Sequence, residues 1–366
     1  MATWIFGLIL AIIFVIVNGC TQVFYAQKKG YKIKPTAFAY FVGAIGNLIS
    51  GNIVPISAQA ETITVSGEIK NERDRVTALL IAAIIGIVFG VTGLTTKIVD
   101  FAGTSVIYGM MAGVGLILCV TSIDMFKTDW RTCLISLVVA IGIYMLTKNV
   151  VYTIAASVLL SVLDFTLLRK KRVDVIMNET TEWRFWKREY WKEFKPVKPR
   201  FSVWTILGAL SLVCLNIGSN ISFGTISASM AGAQPNFDAI TLINSLADIP
   251  SVMFGGMPLE TIISGTASTH WPLLAGVLMM VISGILLMCG VMNKLSKFVP
   301  AESICGFLFV IGFSLTIVPN MMSVVGSDKP LAGIVAMAVT ALTKNAFFGI
   351  VVGVLVIVSG NLWGLI

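Results

Sequence analysis

Long apolar stretches separated by short polar connections run along almost the whole chain. A membrane-spanning helix needs about 20 mainly apolar residues, and twelve stretches reach or approach that length. They lie at residues 3–26, 35–52, 76–96, 102–123, 131–147, 149–168, 202–224, 236–254, 271–291, 300–319, 330–343 and 345–365. The pattern therefore predicts an all-α polytopic membrane protein, surrounded by the lipid bilayer.

Two further stretches are too short and too polar to cross a membrane as ordinary helices. They are residues 53–67 and 255–268, each with glycine at or just before its start and a proline, Pro55 or Pro258, near it. We interpret each as a broken segment, in which a strand leads into a half-helix at the middle of the bilayer. Irregular backbone is tolerated at that depth only where protein or a water-filled cavity surrounds it.

The two halves of the chain resemble each other. AETITVSG (60–67) echoes LETIISG (259–265), and FAGTSVIYGMMAGVG (101–115) echoes FVPAESICGFLFVIG (298–312), at offsets of 199 and 197 residues. With the broken segments included, each half has seven segments. Because seven is odd, the second copy must cross the membrane in the opposite sense. We therefore predict a 7+7 inverted-repeat transporter fold with 14 segments.

Composition excludes a soluble protein, and charge marks the boundary between the halves. Charged residues make up 12% of the 366, against about 25% in soluble domains. The net charge of +8 does not indicate nucleic-acid binding, because 169–200 alone holds eleven Lys/Arg and five Asp/Glu. Basic segments beside membrane spans are typically cytoplasmic. We predict a first repeat at 1–168, a basic amphipathic cytoplasmic linker at 169–200 and a second repeat at 201–366.

Within the linker, TEWRFWKREYWKEF (181–194) places Trp183, Trp186, Tyr190 and Phe194 on one helical face among basic residues. This pattern is typical of a helix that lies on lipid headgroups. A helix that docks a partner protein is the alternative.

The acidic residues of the broken segments, Glu61 and Glu260, are the main candidates for substrate binding and coupling. A charged side chain at the middle of a membrane helix costs at least about 2.5 kcal/mol, so its presence suggests function. Either carboxylate could carry a proton or bind a polar substrate. The alternative is that each stabilises the N-terminus of its own half-helix, or lies near the surface.

Several uncharged side chains are weaker candidates for the same site. Asn and Gln offer paired donors and acceptors that suit an amide or the edge of a heterocycle, and Phe could stack on a flat ring. Each could equally be helix–helix glue, which polar groups commonly provide in membranes. The residues are Gln59, Thr261, Ser264, Thr266, Asn216, Asn220 and Phe223.

Motifs for enzymatic chemistry are missing from the sequence. It has no P-loop and no dinucleotide-binding glycine fingerprint, and its single histidine makes a zinc site improbable. We expect neither catalysis nor a metal nor a bound cofactor.

Three stretches resemble the nucleobase–cation symporter family, the xanthine, uracil and ascorbate permeases. They are residues 35–55, 96–118 and 242–268. The resemblance implies a core and a gate domain with the substrate between the third and tenth segments. It also implies proton-coupled uptake of a purine or pyrimidine in a bacterial plasma membrane, by a homodimer. The chain departs from the family where Ser264 stands near the usual position of a glutamate.

The predicted function is that of a secondary active transporter for a small polar solute, most simply a nucleobase. Protons, or else sodium, would be the coupling ion. The alternative is an anion transporter or channel on the same fold, like the sulfate-transporter relatives, with the half-helix dipoles holding the anion. A site with two glutamates and neither Arg nor Lys argues against that alternative.

Membrane orientation is ambiguous at the level of sequence. Basic residues follow the first, third, fifth and seventh segments, all on one side, so the positive-inside rule places both termini outside. The resembled family keeps both termini inside. Either this chain is inserted the other way, or one segment is miscounted.

Overall fold

A computed structural model describes residues 2–67, 69–170, 191 and 194–363. The first half contains helices α1 (Ala2–Lys28), α2 (Thr36–Ser50), α3 (Ala60–Gly67), α4 (Glu72–Thr92), α5 (Leu94–Thr147) and α6 (Val150–Leu168), with strand β1 (Ile56–Ser57) before α3. The second contains α7 (Val203–Met230), α8 (Phe237–Met253), strand β2 (Glu260–Thr261), α9 (Pro272–Met288), α10 (Val291–Leu295), α11 (Ala301–Val325), α12 (Pro330–Thr343) and α13 (Ala346–Trp363). Within this described part, six helices are long and apolar enough to cross a membrane.

Helix α5 is too long to be a single straight span. Its 54 residues would extend about 80 Å as one helix, against about 30 Å for the hydrocarbon core. Non-helical backbone at Gly103 (φ 77°, ψ 162°) and Asp129 (φ −145°, ψ 86°) divides it into three pieces. The second and third pieces are separate segments, so the structure contains the fourteen segments that the sequence predicts.

The backbone shows the repeat directly at two corners, one in each half of the chain. Lys148 and Lys344 both adopt left-handed backbone, with φ of 51° and 54°. Each is followed by an asparagine whose side chain caps the next helix: Asn149 accepts from the amide of Val151, and Asn345 from that of Phe347, both at 2.9 Å. The same lysine–asparagine corner therefore ends a segment in each repeat.

Close helix packing repeats in the same way. A Cβ on Gly109 would overlap the carbonyl oxygen of Gly333, and a Cβ on Gly306 would overlap that of Ser136. Gly306 follows Gly109 by 197 residues, and Gly333 follows Ser136 by 197. Adding 197 to the residue numbers of one contact, or subtracting it, thus gives the residues of the other contact. An inverted repeat requires such pairs of equivalent contacts. The offset of 197 residues read from the sequence is confirmed for this part of the chain.

The helices form two bundles. In the first, called the core, α4 packs on α7 and α8, and α2 packs on α8 and α9. In the second, called the gate, α5 packs on α6, α11 and α12, and α12 packs on α13. Helix α1 contacts α6, and α7 contacts α13, so these pairs join the bundles.

The two broken segments meet in the core. Strands β1 and β2 pair antiparallel, with Ile56 opposite Thr261 and Ser57 opposite Glu260. After β1 the chain forms the eight-residue helix α3, whereas after β2 it forms only a 3₁₀ turn at Gly265–Ser268. The third and tenth segments therefore meet at their strands.

The predicted equivalence of Glu61 and Glu260 is wrong. Glu61 is in the first turn of α3, whereas Glu260 is in strand β2, opposite Ser57. The Glu-Thr-Ile triplets align in sequence, but the two segments leave their strands at different points. Glu260 therefore does not stand at the start of a half-helix.

Most of the predicted linker helix, 181–190 and 192–193, lies outside the described residues. Phe194 packs its ring on Phe38 and Phe254, with centroids 5.4 and 6.2 Å apart. These rings lie near the start of α2 and the end of α8. The boundaries of the two repeats and the linker stay predictions.

Successive segments run in opposite directions, so the ends of the bundles to which their connections belong follow from the element order. One of these ends, called the basic face, carries most of the described cationic residues. Lys32 there binds Glu72 at 2.9 Å, and Arg169 binds Asp129 at 2.8 Å. Among the described residues, the lysines at the opposite end are Lys97, Lys148 and Lys329. Those of the basic face are Lys28, Lys29, Lys32, Lys34, Lys70, Arg73, Arg75, Lys127, Arg131, Arg169, Lys170, Lys195, Lys198, Arg200, Lys294, Lys297 and Lys344.

Candidate functional site

A cavity of about 130 Å³, called the central cavity, lies between the core and the gate. Residues of α1, of both broken segments, and of α5, α6 and α11 line it. Among the described residues that line it, none has a charged side chain. The polar ones are Asn18, Gln22, Ser57, Gln59 and Thr121, and the aromatic ones are Phe14, Phe223 and Phe307.

A second cavity of about 300 Å³, called the outer cavity, adjoins the first. Leu118, Thr121 and Phe223 line both cavities, so these side chains form the wall between them. The outer cavity also reaches Lys344 on the basic face. The two cavities together extend from that face to the broken segments.

The N-terminus of α3 is beside the central cavity. Ala58 and Gln59, which immediately precede α3, line the cavity. The side-chain amide of Gln59 donates to the carbonyl oxygen of Thr261 at 3.3 Å and so connects the two broken segments. The first amides of a helix have no partner within it and carry partial positive charge. This end of α3 therefore supplies hydrogen-bond donors close to the cavity.

A buried tyrosine holds the end of β1 in place. The Tyr40 hydroxyl is 2.7 Å from Ser57 Oγ and accepts from the amide of Ala58 at 3.3 Å. Its ring is fully buried. These contacts fix the backbone at the point where β1 turns toward α3. Tyr40 is not among the residues predicted from the sequence, where one tyrosine in an apolar segment is unremarkable.

Glu260 faces the interior of the core. Its side chain is fully buried, and Asn244 donates to its Oε2 at 3.1 Å. Asn244 also donates to Asn220 Oδ1 at 3.2 Å, and Thr261 Oγ1 donates to the same oxygen at 2.7 Å. Glu260, Thr261 and Asn220 thus belong to one buried polar cluster, and none of them lines either cavity. The cluster offers amide donors to a carboxylate that burial would otherwise destabilise.

Asp248 anchors the start of β2. Its Oδ1 accepts from the amide of Leu259 at 2.7 Å, and its side chain is buried. It is therefore a buried backbone partner within the core, beside the Glu260 cluster.

The remaining candidates differ in position. Phe223 and Gln59 line the central cavity, whereas Asn216, on α7, lines neither cavity. Ser264 caps the 3₁₀ turn, accepting from the amide of Thr266 at 3.1 Å, and both side chains are buried. The side chain of Glu61 lies outside the described part of the structure.

The structure adds two polar residues of α1 to the site. Asn18 and Gln22 line the central cavity. They are four residues apart and therefore share one face of the helix. Two amides at this spacing in an apolar helix are the signal that could have identified them. In the part of the chain that the structure describes, no group of three His, Cys, Asp or Glu side chains is placed to hold a metal ion.

Comparison with known proteins identifies the fold. No protein-family model and no curated protein sequence matches the chain. The structure is similar to the transmembrane domain of a cyanobacterium bicarbonate transporter, BicA, with a TM-score of 0.60 and 14% identity over 95% of this chain and 97% of that one. It is also similar to the murine Slc26a9 anion transporter in the inward-facing state, with a TM-score of 0.59 and 14% identity over 97% of this chain and 68% of that one.

These similarities confirm the predicted fold class, the 7+7 inverted-repeat fold of membrane transporters. They do not single out the nucleobase permease family that the sequence resembles, because the similar structures are those of anion transporters. At 14% identity they define the fold, and the substrate has to be argued from the site.

Proposed function

We propose that this protein is a secondary transporter that carries a small anion, bound in the central cavity. The observation that carries the proposal is the charge distribution around the cavity. Its described lining has neutral hydrogen-bond donors and no carboxylate, while Glu260 is directed away into the core. The sequence argued against an anion because the site would contain two glutamates. Glu260 is not part of the cavity lining, so this argument no longer applies to it.

The physical basis is electrostatic. The N-terminus of a helix is equivalent to about half a positive charge and offers free amides, so it favours anions. Here the start of α3 lies beside Gln59, with Asn18 and Gln22 of α1 on the same cavity. Side-chain amides and backbone amides can replace part of the hydration shell of a weakly basic anion. The similar structures are those of a bicarbonate transporter and an anion transporter, which supports the same class of substrate.

Transport would follow from the two-bundle arrangement. The strands and half-helix belong to the core, and α5 and α11 of the gate cover the other side of the central cavity. Movement of the core against the gate would expose the cavity to alternate sides, as in inverted-repeat transporters. We place the protein in a bacterial plasma membrane, as a homodimer.

Proton-coupled uptake of a nucleobase is the second candidate. Gln59 and Phe223 line the same cavity, and an amide and an aromatic ring suit the edge and the face of a flat heterocycle. In that mechanism Glu260 or Glu61 would exchange the proton, or a sodium ion would replace it.

Uptake into proteoliposomes separates the two candidates. Chloride and bicarbonate would be tested against labelled uracil and xanthine, with and without an imposed proton gradient, for wild type and Gln59→Glu. We expect saturable anion transport that Gln59→Glu abolishes, because the new carboxylate would repel the anion. Gradient-driven uptake of a base, with no anion transported, would overturn the proposal in favour of the second candidate.

A further inference from the structure

The outer cavity is the approach from the basic face to the central cavity. Val65 of α3 and Leu215 of α7 line it on the core side, and Ile117 of α5 and Ala346 of α13 on the gate side. It reaches the central cavity at the wall that Phe223 forms with two gate residues. A solute coming from the basic face through this space would meet its lining before it reached the central cavity.

Lys344 lines this approach on the basic face. Among the described residues that line the two cavities, it is the only one with a charged side chain. It is exposed, and it ends α12 in left-handed backbone. Helix α13 begins two residues later, and Ala346, its first residue, lines the same cavity. The positive charge of Lys344 and the N-terminus of α13 therefore lie at the same part of the outer cavity.

Other charges nearby do not cancel that of Lys344. Asp124 is close enough to interact electrostatically with Lys344. However, Asp124 is bound by Lys127 at 2.6 Å, and both of these side chains are exposed. The group of three keeps one net positive charge at the mouth of the outer cavity.

We propose that Lys344 is a specificity-determining residue, which attracts anions into the outer cavity and disfavours cations there. This inference rests on the proposed anion substrate and adds a second site to it. The central cavity holds the ion, whereas Lys344 raises its concentration at the approach. A charge at the mouth of a cleft raises the rate of association of oppositely charged solutes, and the effect falls with ionic strength.

The repeat provides a matched control in Lys148. It has the same left-handed backbone and the same neighbours, since Thr-Lys-Asn occurs at 147–149 and at 343–345. It lies at the opposite end of the gate and lines neither cavity. Its ammonium group lies over the ring of Tyr144, 5.2 Å from the centroid. A charge change at Lys148 thus alters the same kind of corner without altering the approach.

The test is the initial rate of chloride or bicarbonate transport in proteoliposomes, measured against anion concentration at low and high ionic strength. We expect Lys344→Glu to raise KM about tenfold and Lys344→Gln to raise it about threefold, with smaller changes in maximal rate. Lys344→Arg and Lys148→Glu should behave as wild type. High concentrations of an impermeant salt should bring wild type toward Lys344→Gln.

Chemical rescue tests whether charge is the cause. In Lys344→Cys, a thiol reagent that adds a positive charge should restore the low KM, and one that adds a negative charge should raise it further. Unchanged KM and salt dependence in Lys344→Glu and Lys344→Gln, in protein that still transports the anion, would overturn this inference and leave the proposed function intact. A wild type that carries a base and no anion would overturn both.

Discussion

Gly115 and Gly312 lie back to back at the centre of the gate. A Cβ on either glycine would be 2.7 Å from the carbonyl oxygen of the other. The two residues are 197 apart in sequence, and the sequence repeat pairs them. Equivalent residues of an inverted repeat can touch each other only at the axis that relates the two copies. Gly115 and Gly312 therefore mark that axis, where α5 crosses α11.

The contact predicts that neither glycine tolerates a side chain. Gly115→Ala or Gly312→Ala should push the helices apart and cost about 1–3 kcal/mol of stability. Gly142→Ala is the control, since a Cβ at this position of α5 meets nothing within 4 Å. Thermal unfolding of the purified variants in detergent would measure the difference. Equal melting temperatures for Gly115→Ala and Gly142→Ala would contradict the close contact.

Much of the fold was predictable because the bilayer fixes the length of each apolar segment. Fourteen segments, two of them broken, follow from run lengths and from glycine and proline positions. The repeat was visible in the gate because glycines such as Gly109 and Gly306 serve the same close contact in both copies. The break at Asp129 lies between the predicted segments 102–123 and 131–147, although helix continues on both sides of it.

The site was less predictable, because sequence does not show which way a strand residue points. Glu260 looked like a cavity residue from its place in an apolar segment, but it bonds to Asn244 in the core. Asn244 and Tyr40 escaped notice, since their roles depend on partners far away in sequence. Gln59 and Phe223 were predicted and do line the central cavity. Their roles in binding stay predictions.

Substitutions at Glu260 distinguish a structural role of this residue from a role in proton coupling. If it stabilises the core, Glu260→Gln should keep the contact with Asn244 and leave the KM of the anion unchanged. Glu260→Ala should instead lower the melting temperature, because it leaves polar partners buried without a bond. Transport kinetics and thermal unfolding would be measured on the same preparations. Loss of proton-gradient dependence in Glu260→Gln, with unchanged stability, would identify it as the coupling residue of the second candidate.

Arg169 holds together the ends of two gate segments on the basic face. It binds Asp129 and Asp164 at 2.8 and 2.9 Å, and its side chain is 12% exposed. Arg169→Gln would leave Asp129 without its ionic partner, whereas Asp164 keeps its contact with Arg131 at 2.8 Å. We expect the substitution to cost about 3 kcal/mol. Burial alone would raise the pKa of Asp129, but hydrogen bonds from Thr132 and Arg169 hold it below the ordinary value.

The pH dependence follows from the sign of that shift. A carboxyl whose pKa is lowered by folding adds stability at pH values above its unfolded pKa, and this stability is lost as the pH falls through the folded pKa. Arg169→Gln should therefore lose less stability than wild type when the pH is lowered from neutral to acidic. Melting temperatures at pH 7 and at about pH 2.5 would measure it, because the ordinary pKa of an aspartate is about 3.9 and most of the loss occurs below that value. The same acid-induced drop in wild type and variant would contradict a stabilising role for the Asp129 contact.

The basic face predicts the orientation of the protein. All fourteen segments are present in the structure, so a miscounted segment does not explain the conflict between the charge pattern and the resembled family. Seventeen of the described Lys and Arg lie at the basic face and three at the other end, a bias that places the basic face in the cytoplasm. We therefore expect the start of α1 to be outside the cell. The outer cavity, which reaches the basic face at Lys344, would then open to the cytoplasm.

Cysteines placed at the two matched corners would measure this orientation. In intact cells, a membrane-impermeant maleimide should label Lys148→Cys at once and Lys344→Cys only after permeabilisation. Wild type gives the background, since five of its six cysteines are buried and Cys214 is partly buried. If only Lys344→Cys were labelled in intact cells, the protein would have the opposite orientation in the membrane. The outer cavity and Lys344 would then face outward, and Lys344 would act on uptake of an external anion.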